Sequence, residues 1–263
     1  MTGPFISSKL WITQAREDLS DFAARERAVF NRESAYRFFE DVERQPGAKV
    51  IGIKLSPAPE TLSTRAANIV NALRSALDQA AWRASIELGA KESAKIYFPL
   101  AGTKANFEDM FRPRGSCKNI PAELHPLLKG FEGYPRSKDY PGGNDLLYAL
   151  SAISNPNKHK ETYKVGINLT GDVFANHIQF RLVRELSFPP RFDPSTNEIT
   201  LAVLEPGGSY FADITFPAYI AFGEVPIVAR HPVVPVLNEM TRIADGIINS
   251  IEAETARILS ERT

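Results

Sequence analysis

Cysteine occurs once in these 263 residues, at Cys117, so no intrachain disulfide can form and a reducing compartment, the cytoplasm, is expected. Long apolar runs are missing too. The longest, such as Ala66–Ala72 and Leu146–Ile153, fall far short of the roughly 20 residues a membrane span needs, so no membrane contact is expected. The opening MTGPFISSKLW has no charged start followed by an apolar stretch, the pattern of a secretory signal. Net charge is absent: 31 Lys+Arg balance 31 Asp+Glu, which argues against a domain whose main work is gripping a nucleic-acid backbone. Neither GxGxxG nor the P-loop pattern appears, and GxSxG is missing as well. The four histidines (His125, His159, His177, His231) lie far apart, none with a second His or Cys at ligand spacing, so neither a metal site nor a cofactor is expected.

What is present is the composition of a globular protein, 43% hydrophobic and 24% charged. Helical spacing of Trp11, Ala15, Leu19, Phe22 and Val29 predicts a helix over about 8–32. A hairpin over 36–55 follows, with Gln45-Pro46-Gly47-Ala48 suited to a type II turn. A second helix spans about 60–88, with Leu62, Ala66, Ile69, Leu73, Ala76, Ala80 and Ala84 in one stripe. A third, apolar all round, covers 144–155 and is expected to stop at Pro156. Alternating residues then predict strands over 162–169, 177–183, 197–204 and 209–216, an antiparallel meander with a turn at Glu205-Pro206-Gly207-Gly208. A last helix runs over about 233–260. The expectation is α+β: a single domain over 1–263, built as a four-helix bundle with an N-terminal β-hairpin and an inserted four-stranded antiparallel sheet.

Charge is unevenly placed. Basic residues outnumber acidic ones nine to five between Arg112 and Lys164, and acidic outnumber basic nine to four from Asn197 onward. The two stretches are either solvated surfaces that differ, or sites for an anionic ligand or a second copy of the chain.

Chemistry concentrates in two places. Asn71, Arg74, Ser75, Asp78 and Trp82 share one face of the second helix, and Arg74 and Asp78 are the only charges between Ala66 and Trp82. They form either an ordinary ion pair one turn apart or a partly buried face looking into a cleft or interface. The second place is Asn155-Pro156-Asn157-Lys158-His159-Lys160. Cations there suit a helix C-terminus, while His159 is the side chain able to exchange protons near neutrality, with Lys158 and Lys160 beside it for an anion.

The segment Asn71-Ala72-Leu73-Arg74-Ser75-Ala76-Leu77-Asp78-Gln79, with Phe98-Pro99 and Asn157-Lys158-His159-Lys160 downstream, resembles a group of uncharacterised bacterial proteins that pair an LRxxLDH-like helix with a later DKHR-like motif. More distantly, it is similar to the HEPN superfamily. That resemblance implies a metal-independent ribonuclease of a toxin or defence system, in which Arg and His of two protomers meet. Arg74 matches; Gln79 stands where that family has its His, and an amide is no general base. Two functions are therefore carried forward. The first is a non-catalytic binding or assembly module, with a homodimer and RNA along the basic region 112–164 as its partners. The second is a HEPN-like endoribonuclease with Arg74, Asp78 and His159 as catalytic candidates and Asn71, Gln79, Asn155, Lys158 and Lys160 in binding. Tyr97, Asp139, Tyr140 and Asn144 are the residues a small-molecule enzyme would have to use.

Overall fold

The computed structural model describes residues 3–30, 36–42, 47–138, 140–159, 164–169, 174–193, 196–215, 218–223, 225 and 227–263. The protein is mixed α and β. The chain divides into two compact units: Met1–Phe22, Glu60–Lys164 and Phe222–Thr263 form one, Ala23–Pro59 and Val165–Ala221 the other. Two of the crossings fall inside regular elements, the first helix and the last strand, so no linker composition marks the division.

In the first unit, α2 (Glu60–Glu87) forms because alanine and leucine dominate it and neither proline nor glycine interrupts it. Its whole expected stripe is buried, and Ala67, Val70, Ala72, Leu77 and Ala81 are buried besides. More than one side of this helix is therefore covered. It packs against α5 (Asp145–His159) and α6 (Val233–Arg262), which also pack on each other. Two short helices, α3 (Lys104–Met110) and α4 (His125–Gly130), lie between α2 and α5. Helix α1 (Ile6–Phe30) buries Ile12, Ala15, Leu19 and Phe22, whereas Trp11, read as part of that stripe, is 39% exposed. Ion pairs tie the part of it within this unit to the other elements: Lys9 to Glu252, Arg16 to Asp245 at 2.8 Å, and Asp21 to Arg65.

Helix α5 begins as its sequence predicts, with the Asn144 Oδ1 accepting from the Leu147 N–H at 3.1 Å. It does not stop at Pro156 but continues to His159. Proline removes one intrahelical hydrogen bond and crowds the preceding turn, a cost that a helix packed on two neighbours can absorb.

The second unit holds an antiparallel sheet in the order β1-β2-β5-β4, with β1 Tyr36–Asp41, β2 Lys49–Leu55, β4 Phe174–Asp193 and β5 Glu198–Thr215. β1 and β2 pair from Tyr36↔Leu55 to Asp41↔Val50. Of their expected turn, Gln45 and Pro46 lie outside the described residues, and Gly47 has the positive φ (76°) that a type II turn asks for. The four strands read as a meander are arranged differently. β3 (Val165–Leu169) leaves that sheet and pairs with β6 (Ala218–Phe222), while β2 takes the place beside β5. Residues 198–204 and 209–215, expected as two strands, belong to one strand, β5. Gly207 adopts φ 79°, yet the chain does not reverse there: β4 runs past it, pairing Arg181↔Ser209 on one side and Val183↔Leu204 on the other. The expected turn is thus a bulge, because the continuous partner strand holds both halves of β5 in one direction.

Ile53, Leu55, Ile199 and Leu201 form an apolar cluster on this sheet with Tyr36, Phe38 and Ile167. Gly52 is required beside it. A Cβ there would lie 2.6 Å from the Ile199 carbonyl oxygen and 2.5 Å from Phe39 Cζ. We predict that Gly52→Ala lowers stability by about 2 kcal/mol, the range of an overpacked core, read as a drop in the urea midpoint at unchanged slope.

Candidate functional site

Arg74 and Asp78 stand one turn apart on α2, where the surrounding alanines and leucines leave no competing charge. They pair through two contacts, Nε to Oδ2 at 3.1 Å and Nη2 to Oδ1 at 3.0 Å, with side chains only 13% and 19% exposed. Both also reach the same backbone. Arg74 Nη2 donates to the Phe98 carbonyl oxygen at 3.0 Å, and Asp78 Oδ1 accepts from the Phe98 N–H at 2.9 Å. Of the two readings of this face, partial burial is the one observed. What it faces, however, is a segment of its own chain. The pair clamps one residue's main chain from both sides, and the Phe98 ring, 1% exposed, packs 6.1 Å from that of Phe131.

Not all of the face is satisfied. Among the described residues, Asn71 Oδ1, Arg74 Nη1, Gln79 Oε1 and Arg83 Nε of α2 are buried atoms without a hydrogen-bond partner. Gln79 lies away from the clamp and lines a cavity with Trp82 and Arg83. Asn155, Lys158 and His159 occupy the last turns of α5, but their side chains, and Lys160 and Asp139 altogether, lie outside the described residues. Tyr97 is 61% exposed.

The basic region presents its cations to solvent: Arg112, Arg114, Lys118, Lys129, Arg136 and Lys138 are all exposed. Within it, Arg112 pairs with Asp109 at 3.0 Å and Lys129 sits 5.2 Å above the Phe111 ring. Cys117 is buried, and burial pushes its thiol above the ordinary range, although Arg114 and Lys118 lie close in sequence. His125 is engaged structurally, with Nε2 3.1 Å from the Ile120 carbonyl oxygen and its ring 5.1 Å from Phe111.

A second polar centre escaped the sequence reading. Glu132, at a positive φ of 49°, accepts three hydrogen bonds through its carboxylate: from Tyr140 Oη at 2.7 Å, Tyr134 Oη at 2.9 Å and the Gly143 N–H at 2.8 Å. Lys104 Nζ lies 3.6 Å over the Tyr140 ring. The Gly143 N–H first, then the two phenols, hold the Glu132 carboxyl below its ordinary 4.5. Burial and the Glu132 hydrogen bond push Tyr134 well above the ordinary tyrosine value. Only Tyr140 of this group drew notice in the sequence, since nothing in a glutamate's neighbours announces a left-handed backbone.

Among the described residues, no group of three or more His, Cys, Asp or Glu could hold a metal ion, and no helix is long and apolar enough to cross a membrane. What fold and site define together is a mixed α/β protein in which the shielded Arg74–Asp78 pair grips its own main chain. No protein-family model, curated protein or solved structure matches the chain.

Two predictions follow from this geometry. Replacing Asp78 with alanine leaves the Phe98 N–H without its acceptor and the shielded Arg74 guanidinium without its carboxylate; stability should fall by about 2 kcal/mol or more, and the Phe98 amide should exchange with solvent far faster. For Glu132, the folded-state pKa lies below the unfolded one, so its contribution is complete above pH 4.5 and is lost as the pH falls through the lowered value. An NMR titration should show the Gly143 amide shifting below pH 4.5, and no longer shifting in Glu132→Gln.

Proposed function

We propose that the protein is a non-catalytic binding or assembly module working in the cytoplasm, its four long helices bundled as a scaffold. The clamp carries this reading. A reactive pair needs groups turned toward a substrate, whereas the Asp78 carboxylate and the Nε and Nη2 of Arg74 are directed to each other and to the Phe98 main chain. A partner is suggested by the surface. The exposed cations between Arg112 and Lys138 suit the phosphates of RNA or an acidic surface on a second copy of the chain. Light scattering should detect a homodimer, and filter binding should retain single-stranded RNA with an affinity that falls steeply with salt. Arg114→Glu with Lys118→Glu should weaken that RNA binding uniformly across sequences. A monomer that leaves RNA unbound contradicts the proposal.

The HEPN-like endoribonuclease is the second reading, and two observations favour it. The helix bearing His159 packs on the helix bearing Arg74, and Arg74 keeps a buried Nη1 without a partner among the described residues. There Arg74 would stabilise the phosphate, His159 would move the proton, and Asp78 would orient either of them, while Asn71, Gln79, Asn155, Lys158 and Lys160 would bind the strand. This reading expects RNA cleavage that survives chelator and disappears in His159→Ala. Intact RNA, with and without divalent metal, disposes of it.

A further inference from the structure

Tyr97 is 61% exposed, and a lone exposed aromatic is ordinary on a protein surface. What sets this one apart is the main chain that carries it. Burial alternates along the segment: Ile96 and Phe98 are buried, while Lys95 and Tyr97 are exposed. The segment is pinned on both sides of the ring. Asp78 Oδ1 accepts at 2.9 Å from the Phe98 N–H, the amide that directly follows Tyr97, and Arg74 Nη2 donates to the Phe98 carbonyl oxygen at 3.0 Å. Two residues before Tyr97, the Lys95 carbonyl oxygen accepts from Asn119 Nδ2 at 3.2 Å. Three side-chain contacts thus fix a short stretch of chain that presents a large ring to solvent.

The Asn119 contact also ties this segment to the loop that carries Lys118. Lys91, Lys95 and Lys118 are all exposed. Carboxylates from the same part of the chain are engaged by other cations: Glu87 by Arg83, Glu108 by Lys104, Asp109 by Arg112 and Glu123 by Arg262. A ring on a fixed main chain, with exposed cations beside it, has the two parts of a single-strand site, a face for a base and charges for phosphates. Stacking costs such a ring little freedom, since its main chain is already held and a tyrosine has only two torsions to fix. The Arg74–Asp78 clamp then has a use beyond stability, which is to hold the ring outward.

We propose that Tyr97 is a base-stacking platform for single-stranded RNA, with Lys95 and Lys118 taking flanking phosphates. This rests on the RNA-binding part of the module reading and deepens it, by assigning the residue that holds a base rather than the backbone.

The test titrates the full chain, by filter binding, with an oligouridylate dodecamer and with an abasic ribose-phosphate dodecamer of equal charge. The wild type is expected to bind the oligouridylate about tenfold more tightly, toward the lower end of what one base stacked on one ring contributes. Tyr97→Leu should remove that preference and leave the slope of affinity against salt unchanged, because the ring carries no charge. Tyr97→Trp should keep it. Both variants should retain the wild-type urea midpoint, as the side chain is exposed. Equal affinity of the wild type for the two strands, or a preference that survives in Tyr97→Leu, overturns the proposal, while salt-dependent binding of both strands leaves the RNA reading standing. Absence of binding to either strand sinks the reading and the proposal together. A Tyr97→Leu protein that loses a dimer and binds both strands as the wild type does assigns the ring to the second copy, which also overturns the proposal.

Discussion

The main chain of Phe98, gripped from both sides by charges one helical turn apart, is the constraint on which the candidate site depends. Helix α2 is apolar on more than one side, so whatever crosses it must bring its own polar groups to heel. Arg74 and Asp78 do that for the segment after α2. Once the Phe98 main chain is fixed, its ring seats against Phe131. Next to Phe131, Glu132 gathers two phenols and the Gly143 N–H, and its carbonyl oxygen accepts from the Asn144 N–H at 3.1 Å. Asn144 in turn caps α5. A hydrogen bond from the Ala101 N–H to the Gly133 carbonyl oxygen, 2.8 Å, closes the same circuit. The irregular stretch between two core helices is thus held by a chain of specific polar contacts, with aromatic packing between them.

Charge elsewhere in this unit works at closer range than the sequence totals suggest. The acidic surplus after Asn197 meets cations brought to it by folding: Lys9 and Arg16 of α1 take Glu252 and Asp245, and Arg257 bridges Glu254 and Glu261. The basic stretch before it is less neutralised, which leaves the cations around Arg114 and Lys118 as the more conspicuous electrostatic surface.

Much of the fold was legible because periodicity reports burial. The stripe of α2 was read residue by residue, and the lack of other charge around Arg74 and Asp78 kept their shielding from solvent open as one of two readings. Pairing was not legible. Alternation marks a strand without naming its neighbour, so β2 beside β5 and the departure of β3 went unread. Pro156 and the Glu205–Gly208 segment carry strong local stop and turn signals, yet packing of α5 and continuity of β4 override them. The partner of the clamp was invisible for a simpler reason. A main-chain group has no residue identity, so nothing in the sequence distinguishes Phe98 as the acceptor and donor that Arg74 and Asp78 need.

A double-mutant cycle on Arg74 and Asp78, read by urea denaturation, tests the clamp most directly. An exposed pair one turn apart couples by a few tenths of a kcal/mol, whereas a shielded pair sharing a main-chain partner should couple by more than about 1 kcal/mol. The clamp predicts the larger value, with the double mutant little worse than either single one. Additive losses, with coupling under about 0.5 kcal/mol, would mean that the two charges act separately and that the segment at Phe98 is held by something else.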